Sequence, residues 1–175
     1  MRFSRLLIRP LGRDDGAAVD AVFAGLSARS RFLRFHTPVP RLTRSIRDAL
    51  LDVDGRRHAA LVAELPSRDG MRPIGIARLI GTGATAAETA VAVVDAWQGH
   101  GVGRRLLEAL GALALDLGYT ELHGLALPEN DRVIRLLERV FPGSTRRWDD
   151  GAVRVRCPLG DPEVTHDDLL TALVS

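Results

Sequence analysis

The stretch Gln98-Gly99-His100-Gly101-Val102-Gly103 sets three glycines at alternate positions between an apolar run and an arginine-led amphipathic pattern. Glycines placed after a strand and before a helix expose N–H groups that converge on one point, where the helix dipole also favours negative charge. The chemistry this suits is the holding of a phosphate. A backbone lying against a pyrophosphate has no room for a β-carbon, and sharp turns can require positive φ. Arg104 and Arg105, in the first helical turn, are unfavourable against that dipole unless a bound polyanion offsets them. A P-loop is excluded, because G-x-x-x-x-G-K-[ST] needs a lysine and the chain contains none. A dinucleotide fingerprint, G-x-G-x-x-G with an acid ending the next strand, fits poorly. The glycine spacing is one residue short, and Glu121 begins the next strand instead of ending it.

The other reactive side chains point less clearly. Glu88, by periodicity alone, reads as a solvated residue at the start of a strand. His36 lies in a basic, aromatic segment and reads as a surface loop residue, with Arg29, Arg31 and Arg34 as a solvated basic face. His58, His123 and His166 have no mutual spacing that suggests a metal, so none is expected. The single cysteine, Cys157, reads as a small core residue in a late strand, and the single tyrosine, Tyr119, as structural. The absence of lysine also means that the chain offers no side-chain amine of its own.

The elements that must position these residues follow from hydrophobic period and turn residues. With 175 residues, 46% hydrophobic and 26% charged, the chain is long enough for one substantial core and too short for two. Leu6 to Ile8 reads as a first strand ended by Pro10 and Gly12. Asp14 or Asp15 then caps a helix through Ala18, Val22, Phe23 and Leu26. Ser27 to Pro40 is broken by Pro38 and Pro40, after which Thr43 caps a second helix through Ile46, Leu50 and Leu51. A meander follows over His58 to Leu65, Ile74 to Ile80 and Glu88 to Val94. Leu106, Leu107, Leu110, Leu113, Ala114 and Leu117 fall at steps of three and four, which predicts a helix over Gly103 to Leu117. Glu121 to Leu127 reads as a strand and Asn130 to Val140 as a helix. Ser144 to Trp148 and Ala152 to Cys157 form a hairpin around Asp149-Asp150-Gly151. After Pro158, His166 to Val174 is expected as a short docking helix.

A net charge of +2 with 5% aromatics does not suggest a nucleic-acid surface. No apolar run approaches the roughly 18 residues of a membrane span, and no signal peptide opens the chain, so a cytoplasmic protein is expected.

The hexapeptide from Gln98 to Gly103 matches the Q/R-x-x-G-x-G/A signature of the GNAT acyltransferase superfamily, with a strand before it and a helix after it. Asn130, opening the next helix, is a second motif in its usual place. The chain resembles this superfamily from about Leu6 to Cys157. The resemblance implies a single α/β domain over residues 1–157 and a separate tail over 158–175. The mixed sheet would have about six to seven strands flanked by about four helices. It further implies acetyl-CoA as co-substrate and no metal. The pantetheine arm would pair with backbone at Ala92, Val93 and Val94. The pyrophosphate would rest on the loop of Gln98, Gly99, His100, Gly101, Val102, Gly103 and Arg104, with Asn130 near the pantetheine end. His100 stands where the family often has arginine or lysine.

Three further places, Ser30-Arg31-Phe32-Leu33-Arg34-Phe35, Arg56 to Ala63, and Ala87-Glu88 ten residues before Gln98, are similar to bacterial Pat-type protein lysine acetyltransferases. That similarity implies Glu88 as the base that takes a proton from the attacking amine. It also implies a protein-lysine acceptor, on an enzyme such as an acyl-CoA synthetase. An ordinary carboxylate near pKa ~4.3 is a weak base for this, so partial burial or a relaying water is required. The tyrosine that many GNAT enzymes use to protonate the departing thiolate is replaced by Leu137. Two alternatives stand beside this reading: transfer to a small-molecule amine, and a non-catalytic acyl-CoA-binding module. The hairpin and the tail are candidate homodimer surfaces.

Overall fold

A computed structural model describes residues 6–160 of the chain. Seven strands form one sheet in the order β1-β2-β3-β4-β5-β7-β6. They are β1 (Leu7–Pro10), β2 (His58–Ser67), β3 (Gly70–Gly81), β4 (Ala86–Val93), β5 (Glu121–Ala126), β6 (Thr145–Asp149) and β7 (Ala152–Pro158). All pairings are antiparallel except β4 with β5. Five helices complete the order: α1 (Gly16–Ala24), α2 (Ala28–Phe35), α3 (Arg44–Leu51), α4 (Val102–Asp116) and α5 (Asp131–Val140). Among these described residues no helix is long and apolar enough to cross a membrane.

The meander, the helix after the glycines and the final hairpin stand where the sequence places them, within a few residues. The largest departure is α2, an eight-residue helix inside the segment that sequence analysis leaves as a broken loop. It starts conventionally, with the Ser27 hydroxyl accepting from the Ser30 N–H. It buries no residue fully, so the apolar period that marks the other helices is missing. β1 ends at Pro10 as the sequence places it, with Pro10 itself still paired, opposite Leu61, as an edge strand tolerates. A smaller correction concerns the turn that follows. Asp15 sits at the start of α1 without capping it. Its carboxylate turns back to accept from the Gly12 N–H at 2.7 Å and from Arg9 at 2.8 Å. Thr43 does cap α3, accepting from the Ile46 N–H. The helix expected over His166 to Val174 lies outside the described residues.

Both faces of the sheet are covered, and β3 is accordingly buried on both faces from Gly75 to Leu79. On one face Leu106, Leu107 and Leu110 of α4 and Ile134 and Leu137 of α5 pack on Leu61, Ala77, Leu79, Leu122 and Val155. On the other, Val19 and Val22 of α1 and Leu51 of α3 pack on Ala60, Val62 and Ile76. Removing one of the fully buried leucines, such as Leu110, would cost about 2–5 kcal/mol by transfer and cavity terms. β6 forms the outer edge and carries Trp148, which is 69% exposed.

Candidate active site

The sheet opens at its one parallel pairing. The β4–β5 ladder runs from Ala86–Glu121 to Thr89–Gly124 and stops, although β4 continues to Val93 and β5 to Ala126. A cleft of about 1220 Å³ occupies the opening and extends from α2 on one face to α5 on the other. Which main-chain groups face it follows from alternation. The Val94 N–H donates to the Ile74 carbonyl at 2.9 Å, so Val94, and by register Ala92 and Ala90, address β3. Val91 and Val93 address the opposite side, where β5 has already departed. The expected pantetheine segment is thereby narrowed. Val93 faces the opening with its backbone and Val91 joins it, Ala92 contributes its side chain to the cleft wall, and Val94 lies outside the lining.

Gln98 is the hub of the cleft. Its side-chain N–H groups reach the Val93 carbonyl at 3.0 Å, Asp95 at 3.2 Å and the Ser30 hydroxyl at 3.3 Å. Its carbonyl oxygen accepts from Arg132 of α5 at 2.9 Å. One amide thus ties β4, the turn after it, α2 and α5 together. Burial disfavours the Asp95 carboxylate, but hydrogen bonds from Ser27 and Ser30 and the Arg132 charge outweigh that and hold its pKa below the usual value.

The glycines have separate reasons. Gly99 and Gly101 have φ of 78° and 84°, a region L side chains rarely adopt, and a Cβ at either would meet nothing within 4 Å. Gly103 is instead a packing glycine, with an added Cβ only 3.1 Å from Leu136 of α5. Gly101 is the N-cap of α4 and supplies no side-chain cap, so the first-turn N–H groups of Val102, Gly103 and Arg104 remain available to an anion. Gly99, Gly101, Gly103 and Arg104 line the cleft. The Val102 side chain is buried in the core. His100 lies outside the lining, its Nδ1 2.9 Å from the Gln98 carbonyl, which makes Nδ1 the protonated nitrogen. Arg104 is paired with Glu108 along the helix at 2.7 Å. Asn130 is half-buried at the start of α5 and lines the cleft, and its side-chain amide makes no hydrogen bond among the described residues. A pyrophosphate with a pantetheine arm suits this donor set: uncapped helical N–H groups, two outward-facing strand residues and an unengaged amide.

On the other face, Glu88 lines the same cleft and is exposed. The partial burial expected of a base at this position is absent. Leu137, in the place of the family tyrosine, is buried against the last paired residue of the opening: a Cβ at Gly124 would lie 2.4 Å from Leu137 Cδ1. Tyr119 lies elsewhere, buried with its hydroxyl donating to the Arg56 carbonyl at 3.3 Å. His36 borders the cleft in a left-handed conformation at the end of α2. Among the described residues no group of three or more His, Cys, Asp or Glu could hold a metal ion. Arg29 and Arg34, read from the sequence as solvated surface, line this cleft, and Arg78, which no sequence pattern singles out, is a buried guanidinium on β3.

Comparison with known proteins agrees with this geometry. The family model for the acetyltransferase (GNAT) family matches residues 28–141. Acetyltransferase PA5475 of Pseudomonas aeruginosa is 27% identical over 121 residues, which is 69% of this chain and 65% of that protein's own length. The GNAT domain of S. lividans PAT superposes with a TM-score of 0.78 at 29% identity, covering 87% of this chain and 89% of that one. YncA of Salmonella typhimurium, solved with its cofactor acetyl-CoA, gives a TM-score of 0.66 at 21% identity over 93% of this chain and 98% of its own. The match to the family model, with the opened β4–β5 pair and the uncapped glycine loop beside it, shows that the chain belongs to the acetyltransferase (GNAT) family.

Proposed function

We propose that this protein acetylates a primary amine on a protein lysine, with Glu88 receiving the amine proton through water. The observation that carries the reading is the position of Glu88, on the strand whose Val91 and Val93 backbone faces the opening, within one continuous cleft. Bound acetyl-CoA supplies an acyl group activated as a thioester. The chain's part is to hold and orient it and to move a proton. The α4 amides neutralise the phosphates, the free N–H on β4 polarises the thioester carbonyl, and Asn130 fixes the arm. A lysine amine, with an ordinary pKa near ~10.4, must lose its proton to become a nucleophile, and the exposed Glu88 carboxylate is the acceptor within reach of water. Leu137 offers no proton to the departing thiolate, and solvent supplies it. The lysine acceptor is supported by the likeness to the GNAT domain of S. lividans PAT and by the Pat-like segments around Ser30, Arg56 and Glu88.

The test is transfer of labelled acetyl from acetyl-CoA to a lysine-containing proteome and, in parallel, to a panel of small amines, with Glu88→Gln beside the wild type. Label on a few protein lysines that disappears with Glu88→Gln is the expected result. Label confined to small amines would replace the lysine acceptor by a small one. Cofactor binding with no transfer at all would make the protein an acyl-CoA-binding module.

A further inference from the structure

A second, smaller pocket of about 40 Å³ opens off the cleft between α1, α2 and β3, and shares Leu26, Arg34, Phe35 and Ala92 with it. Its remaining walls are apolar side chains of α1, Leu50 and Ile76, with one exception, Arg78. Arg78 is 5% exposed and has no ion pair with a carboxylate among the described residues. Its Nη1 donates to the Leu50 carbonyl and to His58 Nε2, each at 3.1 Å. A guanidinium only donates, so His58 Nε2 accepts and the imidazole in this contact is neutral. Nε and Nη2 of Arg78 make no hydrogen bond to the described residues. Arg34 is half-buried in the same pocket wall, stacks on Phe35 at 5.0 Å, and makes no hydrogen bond or ion pair there either. Glu88 attracts Arg34 from the open cleft without reaching ion-pair distance.

Two cations thus face one small apolar pocket, and among the described residues neither has a carboxylate within ion-pair distance. Burial weakens both guanidinium charges, and Arg34 disfavours Arg78 further. Buried charges are ordinarily paired, and a planar guanidinium fork is best satisfied by a carboxylate. The pocket has room for a carboxylate and little more, and it adjoins Ala92, at the level of β4 where its backbone faces the opening.

We propose that Arg34 and Arg78 form a carboxylate-binding subsite, so that one of the two reactants carries a carboxylate, either on the acyl group or on the amine acceptor. The proposal rests on the acyl-transfer reading for its reactants, but its test reads binding. Calorimetric titration of the full chain with succinyl-CoA against butyryl-CoA, matched in length apart from the terminal carboxylate, examines the acyl source. Methionine and glutamate against their α-amides, each with CoA present, examine the acceptor source. In one arm the charged member should bind about tenfold or more tighter, as an arginine–carboxylate pair allows. Arg34→Gln should abolish that preference while leaving the uncharged member unchanged, and Arg34→Lys should keep part of it. Equal binding of charged and neutral members in both arms of the wild type overturns the subsite, whether or not transfer occurs. So does a preference that survives Arg34→Gln in a protein with an unchanged melting temperature. Loss of all acetyl transfer with the carboxylate preference intact would defeat the N-acetyltransferase reading and leave the subsite standing.

Discussion

The donor side of the cleft, around the start of α4 and along β4, is made chiefly of main chain: helical N–H groups, the backbone of Val91 and Val93, and glycines that permit the loop. The opposite side, between β4 and α2, is made of side chains drawn from separate segments: Arg34, Arg78 and Glu88 line it, and His58 backs Arg78. Backbone binding suits a ligand that never changes, because any sequence with glycine at the required φ can supply it. Side-chain binding suits the partner that distinguishes one family member from another. Substitutions should therefore separate the two sides cleanly.

The largest separation is expected from Glu88→Gln. It should lower kcat by about 10² or more, the range for losing a positioned base, and leave CoA affinity unchanged because Glu88 is not on the donor side. Calorimetry with CoA beside single-turnover kinetics checks both halves. The converse is Gly101→Val. A β-branched residue is strained at φ 84°, so the loop must re-route and its amides diverge. CoA affinity should fall about tenfold or more. A Cβ there meets nothing within 4 Å, so the damage should stay within the loop and carboxylate binding at Arg34 should survive. A loss of equal size on both sides would mean that the two are one cooperative unit, coupled through Gln98.

Between these lies a structural test of the opening itself. Gly124→Ala would drive a methyl to 2.4 Å from Leu137 Cδ1, forcing a buried leucine off its rotamer. Overpacking of this kind costs about 1–3 kcal/mol, measurable as a lowered denaturant midpoint at unchanged m-value. Since Gly124 is the last β5 residue paired with β4, CoA affinity should fall with stability.

The same contrast explains what could be read from the sequence. The glycine loop was legible because its function depends on residues within a hexapeptide, and α4 because its leucines keep the helical period. Helix α2 was not: ARSRFLRF buries none of its residues completely, lies beside prolines and gains its place by tertiary contacts, over β4 and against Phe23 of α1. Arg78 was illegible for a different reason. Within GIARLIG it is one polar residue in a strand, and its contacts come from Leu50 and His58, 28 and 20 positions away. Gln98 was expected to serve the cofactor, but its links to Ser30 and Arg132, 68 and 34 positions distant, leave no spacing to find. Glu88 as a base comes from likeness and not from period, whereas its exposure is what period alone predicts at the start of a strand.

The smallest expected effect again falls on one side only. Burial, and then the adjacent Arg78 charge, push the His58 pKa below its ordinary 6.5, although Asp52 and Asp54 oppose this. Between the folded value and 6.5 the unfolded chain therefore binds more protons, and stability must decline as the pH falls through that window. Above it the contribution is complete. The depressed carboxylates act only further down, Asp15, Asp54 and Asp95 as the pH drops below their ordinary 3.8 and Glu121 and Glu138 below their ordinary 4.5. Melting temperatures from about pH 7.5 to about pH 5.5 should thus drift downward in the wild type. His58→Gln, whose amide oxygen can still accept from Arg78 without gaining a charge, should hold nearly level across the same range. Protonation also deprives Arg78 of an acceptor and sets a second cation against it, so the carboxylate preference should weaken in step while CoA binding at the α4 amides does not. Parallel melting curves for the two proteins would remove His58 from the support of Arg78 and leave the Leu50 carbonyl as its hydrogen-bond acceptor among the described residues.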